Sequence, residues 1–179
     1  MSSLVLASAL ATNEREDGQR GELVSVDPYP TTAVLSMPES VRTLIASDVQ
    51  QVPAEELVPP NPGDVLFIDS SHVVRTGGDV NHLYLDVLPR LPPGVVVHVH
   101  DIQLPYEYWR TYSTQQNSPK LFWTEQYLLQ AFLAFNPHFK VLLAGYWCQR
   151  EHPDAFEASF PAFRPEAHRP TTSFYMQRQ

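Results

Sequence analysis

The chain has 179 residues, of which 43% are hydrophobic, and this is enough for one domain with a sizeable core. A formal net charge of -8 argues against a nucleic acid or an anionic membrane as partner, because both need a basic face. No stretch approaches the roughly 20 apolar residues of a membrane span. The lone cysteine, Cys148, cannot form an internal disulfide, which favours the reducing cytoplasm.

The first third of the chain is predicted to alternate helix and strand. Residues 2–12 favour an amphipathic helix that ends near Asn13. Apolar runs within 22–27 and 43–48 are predicted strands, and each closes with an acid, Asp27 or Asp48.

Two apolar runs in the middle of the chain carry the strongest signal. VLFI at 65–68 leads into DSSH at 69–72, and VVVHVH at 95–100 leads into Asp101. Such runs are typical of strands buried on both faces of a parallel sheet, which binds ligands at the carboxyl ends of its strands. The residues expected to meet at that edge are Asp69, His72, His100 and Asp101.

The remaining elements predict how the sheet is completed. A helix over residues 77–88 is expected between the two runs, and a second over 123–135 follows an aromatic loop. Strands at 139–144 and 172–177 are separated by a proline-rich stretch. The predicted fold is therefore α/β, one domain over residues 1–179, with a mostly parallel sheet that closes in an antiparallel pair.

The residues at the predicted sheet edge suit metal binding or proton transfer. Asp69 and Asp101 offer the oxygen ligands that Mg²⁺ prefers, and His100 as a third ligand would shift the preference towards manganese, iron or zinc. Histidine titrates near neutrality, so His72 is a candidate proton acceptor for a substrate hydroxyl. The simpler alternative is that the acids form turns or helix caps and that His72 caps the following helix or faces solvent.

Other side chains leave alternatives open. His98 shares a strand face with His100 and is interpreted as a packed histidine. Tyr106 and Tyr108 either line an acceptor pocket or cover the rim of the sheet. Glu125 either contacts the substrate or is a solvated surface acid.

Three segments together resemble a known family. FIDSSH at 67–72, HVHDI at 98–102 and EQYLL at 125–129 are similar to the class I S-adenosylmethionine-dependent methyltransferases of the methyltransferase-24 domain group. Relatives in that group include macrolide-sugar O-methyltransferases and cephalosporin hydroxylase-like proteins. The resemblance covers nearly the whole chain, and it implies a seven-stranded Rossmann-like sheet with the cofactor over the carboxyl ends of its first strands.

The resemblance also implies where the cofactor, S-adenosylmethionine, binds. Asp27 would hold its ribose, and Asp48 and Val49 would lie beside its adenine. Asp69 and Ser70 would contact it after the fourth strand of the family sheet.

Catalytic and metal roles follow by the same resemblance. Asp69 and His72 match the acid and the histidine after the fourth strand. His100 and Asp101 match an acidic pair that binds metal in relatives, with histidine in place of the first acid. The expected metal ligands, for Mg²⁺ or another divalent ion, are Asp69, His100 and Asp101.

The start of the chain departs from the family pattern. Members begin with a strand and a glycine-rich turn, but Met1 stands where that turn would end. We therefore expect a truncated domain that lacks the first strand, which in the family sheet lies between the second and fourth strands.

The expected function is methylation of a hydroxyl on a small-molecule acceptor, with His72 as the general base. Two other readings are open: a non-catalytic remnant of the fold, and a metal-dependent hydrolase or oxygenase using Asp69, His100 and Asp101. No nucleic acid or membrane partner is expected, and homo-oligomerisation is left open.

Overall fold

Short runs of branched and aromatic residues form the strands, as the apolar pattern predicts. The computed structural model describes residues 2–37, 42–114, 120–163 and 170–179. The chain divides into two compact units, Met1–Pro53 and Ala54–Gln179, and each is described by itself. The expectation of a single domain stays a prediction.

The first unit holds a pair of parallel strands. Its elements are α1 (Ser2–Asp17), β1 (Leu23–Val26), α2 (Thr32–Leu35), β2 (Arg42–Ile45) and a 3₁₀ turn (Val49–Gln51). Leu23 pairs with Arg42 and Val26 with Ile45. Because the two strands run in the same direction, Asp27 and Asp48 follow their carboxyl ends, as predicted.

Helix α1 differs from its prediction in length and in character. It continues past Asn13 to Asp17, because the intervening residues are good helix formers. Leu4 and Val5 are exposed, and no residue of α1 is buried. The prediction of an amphipathic helix fails for the apolar residues, which stand at consecutive positions and spread around the helix, although the half-buried positions 3, 6, 7 and 10 lie on one face.

The second unit holds a four-stranded mixed sheet. Its elements are, in chain order, α3 (Ala54–Leu57), β3 (Val65–Ile68), α4 (Asp79–Asn81), a π-helical turn (His82–Val87), a 3₁₀ turn (Leu88–Arg90), β4 (Val96–Val99), α5 (Thr111–Thr114), α6 (Glu125–Leu133), β5 (Phe139–Ala144), α7 (Gly145–Glu151), α8 (Pro153–Ser159) and β6 (Phe174–Arg178). The strand order is β3-β4-β6-β5.

Strand directions confirm part of the predicted topology. β3 and β4 are parallel, whereas β6 runs antiparallel to both β4 and β5. The closing antiparallel pair is therefore confirmed. Among the described strands, two pairs are parallel and two antiparallel, so the fold is a mixed α/β arrangement in two sheets, not the mostly parallel sheet expected.

The proline-rich stretch before β6 contains two helices that the sequence analysis missed. Pro153 occupies the first turn of α8, where the absence of a backbone N–H costs nothing. The density of prolines obscured this, although Pro161 lies beyond the end of α8.

The core of the second unit lies on one face of its sheet. Residues that alternate along the strands are buried, and a helical run between β3 and β4 supplies further apolar side chains. Each fully buried side chain of this kind contributes about 1.5–3 kcal/mol. The residues are Ile68, Val97, Val99, Phe174 and Met176 from the strands, and Val80, Leu83, Val87 and Leu88 from the helical run. Within the described ranges, no helix is both long and apolar enough to cross a membrane.

Candidate functional site

The carboxyl ends of β3 and β4 lie side by side. The His100 amide donates to the Ile68 carbonyl at 2.9 Å and so extends the parallel ladder by one residue. Beyond it, His72 and Asp101 adopt left-handed backbone conformations, with φ of 59° and 58°. Such conformations are uncommon for residues other than glycine and are often found at functional sites, where the surrounding structure maintains them.

Four polar side chains predicted from the sequence converge at this edge. Nε2 of His72 lies 3.7 Å from Oδ1 of Asp69 and 3.5 Å from Oδ2 of Asp101. Nδ1 of His100 lies 3.6 Å and 3.3 Å from the same two oxygens. His72 is buried, whereas 45% of the Asp69 side chain is exposed, so the cluster opens to solvent on the Asp69 side.

A buried glutamate that was not predicted for this role holds His72. Oε2 of Glu125 lies 2.7 Å from Nδ1 of His72 and accepts a hydrogen bond from the Ser70 hydroxyl at 2.9 Å. The His72 carbonyl also accepts from the amides of Thr124 and Glu125, which are otherwise unpaired at the start of α6. Side chain and backbone together fix the loop 69–72 to α6.

This contact determines which histidine nitrogen faces the acids. A carboxylate at Nδ1 favours the tautomer with the proton on Nδ1, and Nε2 is then an acceptor. Nε2 points at Asp69 and Asp101, which are also acceptors. The cluster is therefore rich in lone pairs. Such a set of atoms can accept a proton from a ligand, or it can bind a cation.

Glu125 could have been placed in the core from sequence alone. Leu129 and Phe132 follow it at i+4 and i+7, so it lies on the apolar stripe of α6. Glu125 is 0% exposed, which excludes the solvated-acid alternative. Its contact with a substrate stays a prediction. Its observed partners are His72 and Ser70.

Charges within the cluster reinforce one another. The carboxylate of Asp101, 3.3 Å from Nδ1 of His100, raises the pKa of His100 despite partial burial, and the negative charges of Asp69 and Glu125 add to the effect. Burial alone would raise the pKa of Asp101, but the nearby His100, the hydrogen bond from the Thr172 hydroxyl and the nearby His72 lower it. Asp101 is thus stabilised as a carboxylate.

His98 behaves differently from His100, its neighbour on the same strand face. Its ring stacks on Tyr175 at 4.1 Å and tilts against Phe67 at 4.8 Å. Burial, with the nearby charge of His100, lowers the pKa of His98 to about 4. These contacts agree with the interpretation of His98 as a packed, neutral histidine.

The loop between β3 and α4 has its own anchor. Both the amide and the hydroxyl of Ser71 donate to the carboxylate of Asp79 at 2.6 Å. Burial alone would raise the pKa of Asp79, but the two bonds from Ser71 and a backbone bond from Val80 outweigh it and lower the pKa. This anchor holds the residue next to His72 in place.

The donor set is compatible with a divalent cation. Ligand atoms of Asp69, His72 and Asp101 all lie within 4.8 Å of one another. The prediction had His100 as the third ligand, and its Nδ1 lies within 3.6 Å of both acids. Two carboxylates with one or two imidazoles suit Mn²⁺, Fe²⁺ or Zn²⁺ better than Mg²⁺, which prefers oxygen ligands alone.

Comparison with known proteins identifies the family. A family model described as a methyltransferase domain matches residues 1–102, more than half of the 179 residues. The chain belongs to the methyltransferase-24 domain family. No curated protein and no solved structure gives a significant match.

Three residues predicted to bind the methyltransferase cofactor lie in the first unit. One carboxylate oxygen of Asp27 accepts the Tyr29 amide at 2.9 Å, as a turn-forming aspartate does. Asp48 is exposed and makes no side-chain cap to the 3₁₀ turn, and Val49 is half-buried. Their contact with a cofactor stays a prediction.

The other two predicted cofactor residues lie in the second unit. Asp69 belongs to the cluster described above. The Ser70 hydroxyl is already engaged, because it donates to Glu125 and accepts the His72 amide at 3.1 Å. Ser70 therefore supports His72, and its contact with a cofactor stays a prediction.

The two tyrosines predicted to bind the acceptor have different surroundings. The Tyr106 hydroxyl bonds to Glu151, and the Arg150 guanidinium lies 4.2 Å from its ring centroid, so Tyr106 ties its loop to α7. The Tyr108 hydroxyl accepts the Gln126 amide at 3.3 Å, and burial raises the pKa of Tyr108. Tyr108 also lines a cavity, and its contact with an acceptor stays a prediction.

Proposed function

We propose that this protein is an S-adenosylmethionine-dependent methyltransferase that methylates a hydroxyl group of a small molecule, with His72 as the general base. Family membership supports methyl transfer in general. The observation that carries the specific proposal is the contact between Nδ1 of His72 and Glu125, because it leaves Nε2 as an acceptor between Asp69 and Asp101.

The chain has the groups that the reaction needs. When bound, S-adenosylmethionine supplies an electrophilic methyl carbon on a sulfonium. The methyl group would pass from the sulfonium to the acceptor oxygen and leave a neutral thioether, and the role of His72 is to take the hydroxyl proton on Nε2. Glu125, Asp69 and Asp101 stabilise the imidazolium that results, as an aspartate does beside a catalytic histidine.

Asp69 and Asp101 have a second role, which is to orient the acceptor. Asp69 is partly exposed, so its oxygens can accept a hydrogen bond from a substrate hydroxyl. Oδ1 of Asp101 is held by the Thr172 hydroxyl at 2.9 Å, which keeps Oδ2 towards His72 and His100. Most of the rate enhancement in such a reaction comes from alignment, since little other chemistry is required.

Binding of the cofactor is assigned residue by residue. A carboxylate pairs with the vicinal hydroxyls of a ribose, and Asp27 follows a parallel strand as such an acid does. We propose Asp48 and Val49 for the adenine, and Asp69 and Ser70 as the cofactor-binding residues of the second unit. The carboxylates of Asp27 and Asp69 are hydrogen-bond acceptors, which suits the hydroxyl and amino groups of the cofactor.

A divalent cation is the second part of the proposal. Asp69, Asp101 and His100 would hold it, and it would acidify the acceptor hydroxyl as a Lewis acid. If His72 joined the ligands, its lone pair would no longer be free to take the proton. Sensitivity of the activity to a chelator tests whether a cation takes part, and the metal content of His72→Gln beside that of the unmodified chain distinguishes the two uses of His72.

A metal-dependent oxygenase or hydrolase is the second candidate function. The observation that favours it is the presence of two imidazoles and two carboxylates at one edge of the sheet. Iron with open coordination positions supports oxygenase chemistry. Metal analysis of the purified protein, followed by a search for Fe(II) spectra, tests this candidate.

Calorimetry with S-adenosylmethionine and transfer of a radiolabelled methyl group test the main proposal. The expected result is micromolar binding and labelling of at least one member of a panel of phenols, sugars and aliphatic alcohols, with and without a chelator. Absence of binding at the highest cofactor concentration used would overturn the proposal in favour of a non-catalytic remnant.

We further propose the reducing cytoplasm as the location, on the basis of the single free cysteine, Cys148.

A further inference from the structure

Glu125 has a buried carboxylate oxygen that its observed partners leave unpaired. Oε2 lies 2.7 Å from Nδ1 of His72 and accepts the Ser70 hydroxyl at 2.9 Å. Oε1 is also buried, and no hydrogen-bond partner for it lies among the residues that the structure describes. A buried carboxylate oxygen without a donor is costly, so a donor is expected beside it.

A buried hydroxyl, that of Tyr84, lies on the side of α6 that carries Glu125. Tyr84 is 0% exposed, and within the described ranges its hydroxyl is buried without a hydrogen-bond partner. Its ring meets that of Phe132 edge to face, at 87° with centroids 6.2 Å apart. Phe132 follows Glu125 by seven residues, or about two turns, so the two share the face of α6 against which Tyr84 packs.

The carboxylate of Glu125 acts on the Tyr84 hydroxyl. Burial raises the pKa of Tyr84, and the nearby charge of Glu125 raises it further. The hydroxyl therefore keeps its proton throughout the neutral range and is able to donate. An unpaired donor and an unpaired acceptor are thus buried close enough to interact.

Packing alone does not explain the hydroxyl. Tyr84 lies in the π-helical turn that follows α4, where Val80, Leu83 and Val87 fill the core with apolar side chains. A phenylalanine would fill the same volume without burying a polar atom. Turns of π-helix are rare and are frequently found at functional sites. The hydroxyl therefore points to a polar role rather than a packing role.

We infer that Tyr84 is a positioning residue whose hydroxyl donates to Oε1 of Glu125 and thereby holds Oε2 against His72. This inference rests on the proposed role of His72 as the general base. Both oxygens of Glu125 are then paired, and the carboxylate is kept from turning away from Nδ1. The sequence places Tyr84 only within the predicted helix over residues 77–88.

Nitrogen NMR of the full chain, labelled at histidine, tests the contact without a need for activity. The signals of His72 are those lost in His72→Gln, and they are recorded on metal-free protein at alkaline pH, where the ring is neutral. Tyr84→Phe removes the hydroxyl and keeps the ring against Phe132. We expect the Nδ1 and Nε2 signals to move towards each other, because a loosened carboxylate no longer selects one tautomer.

Tyr146→Phe is the matched control for this measurement. It also removes a buried hydroxyl, one that lies on α7 and accepts from the Trp109 indole at 3.0 Å. The His72 signals should stay in place in this variant. Signals that stay in place in Tyr84→Phe, or that move as far in Tyr146→Phe, would overturn the inference.

A second measurement does not depend on the folding of Tyr84→Phe. Carbon NMR follows the hydroxyl-bearing carbon of Tyr84, assigned through the contact of its ring with Phe132. The signal should shift in Glu125→Gln, which removes the charge, and should stay in place in Glu157→Gln, at an exposed position of α8. An unshifted signal in Glu125→Gln would overturn the inference.

Kinetics measure the positioning role in the reaction itself. At saturating acceptor and cofactor, Tyr84→Phe should lower kcat by about tenfold, the value of one hydrogen bond to a charged group, and leave both KM values nearly unchanged. In a His72→Gln background the same change should have little further effect. A loss seen only in KM, or full additivity with His72→Gln, would overturn the inference, because Tyr84 would then not act through His72.

The two proposals fail in different ways. Movement of the His72 signals in Tyr84→Phe, with no methyl transfer by the unmodified chain, would contradict the proposed function and support the contact between Tyr84 and Glu125. Methyl transfer that depends on His72, with His72 signals unchanged in Tyr84→Phe, would support the proposed function and overturn this inference.

Discussion

The strand-end acids of the two units differ in what surrounds them. In the first unit, Asp27 accepts a bond from its own turn and Asp48 is exposed. In the second, Asp69 and Asp101 meet two histidines within 3.7 Å. The local pattern, an apolar run and then an acid, is the same in both. The difference comes from distant residues, because Glu125 and Thr172 complete only the second arrangement.

Removing both acids of the second unit should have the largest effect. Asp69→Asn combined with Asp101→Asn is expected to lower methyl transfer by about a thousandfold or more, since acceptor orientation and imidazolium stabilisation are lost together. The matched control is Asp154→Asn with Glu157→Gln, which makes the same change in charge on exposed positions of α8. Similar rates in the two double variants would contradict the proposed role of Asp69 and Asp101 in methyl transfer.

Glu125→Gln tests whether a distant residue makes the second cluster functional. The rate should fall by about 10- to 100-fold while cofactor affinity is unchanged, as expected for a residue that positions another. In a His72→Gln background the same change should have little further effect on rate. Ser70→Ala, which removes one bond to Glu125 and keeps His72, should cost less. Full additivity of the Glu125 and His72 changes would show that Glu125 does not act through His72.

Asp27→Asn tests the predicted contact with the cofactor ribose in the first unit. If Asp27 binds the ribose, the cofactor dissociation constant should rise by about tenfold, the value of one charge-assisted hydrogen bond, with little change in rate at saturating cofactor. Asp17→Asn, at the exposed end of α1, is the control. Calorimetry that finds equal affinities for the two variants would leave Asp27 as a turn former only.

Asp79→Asn should have the smallest effect, on stability. The pKa of Asp79 is lowered in the folded chain, so its contribution is present above the ordinary value of 3.8 and is lost as the pH falls through the lower folded value. The variant should be less stable by about 1 kcal/mol near pH 6, and the gap should narrow towards about pH 3. Guanidinium unfolding of both proteins measures this difference in the free energy of unfolding. A difference that widens at low pH would contradict the prediction.

Much of the second unit follows from sequence because its signals are local. The apolar runs at β3 and β4 predict parallel strands, and parallel strands bring 69, 72, 100 and 101 to one edge. The antiparallel order of β5 and β6 also follows from their position after the last predicted helix. Helices α7 and α8 were missed because the prolines around them suggested a loop.

The contact between His72 and Glu125 could not be predicted from local sequence signals. The two residues are 53 positions apart, and only the packing of α6 brings them together. The apolar stripe of α6 does predict that Glu125 is buried, but it does not name the partner. The left-handed backbone at His72 is also invisible in the sequence, because no glycine marks it.

The account depends most on His72 as the group that takes the proton. The most direct test is the rate of methyl transfer by His72→Gln at saturating S-adenosylmethionine, beside the unmodified chain. The account predicts a loss of at least about a hundredfold, the usual contribution of a general base, with cofactor affinity unchanged. A rate equal to that of the unmodified chain would contradict it.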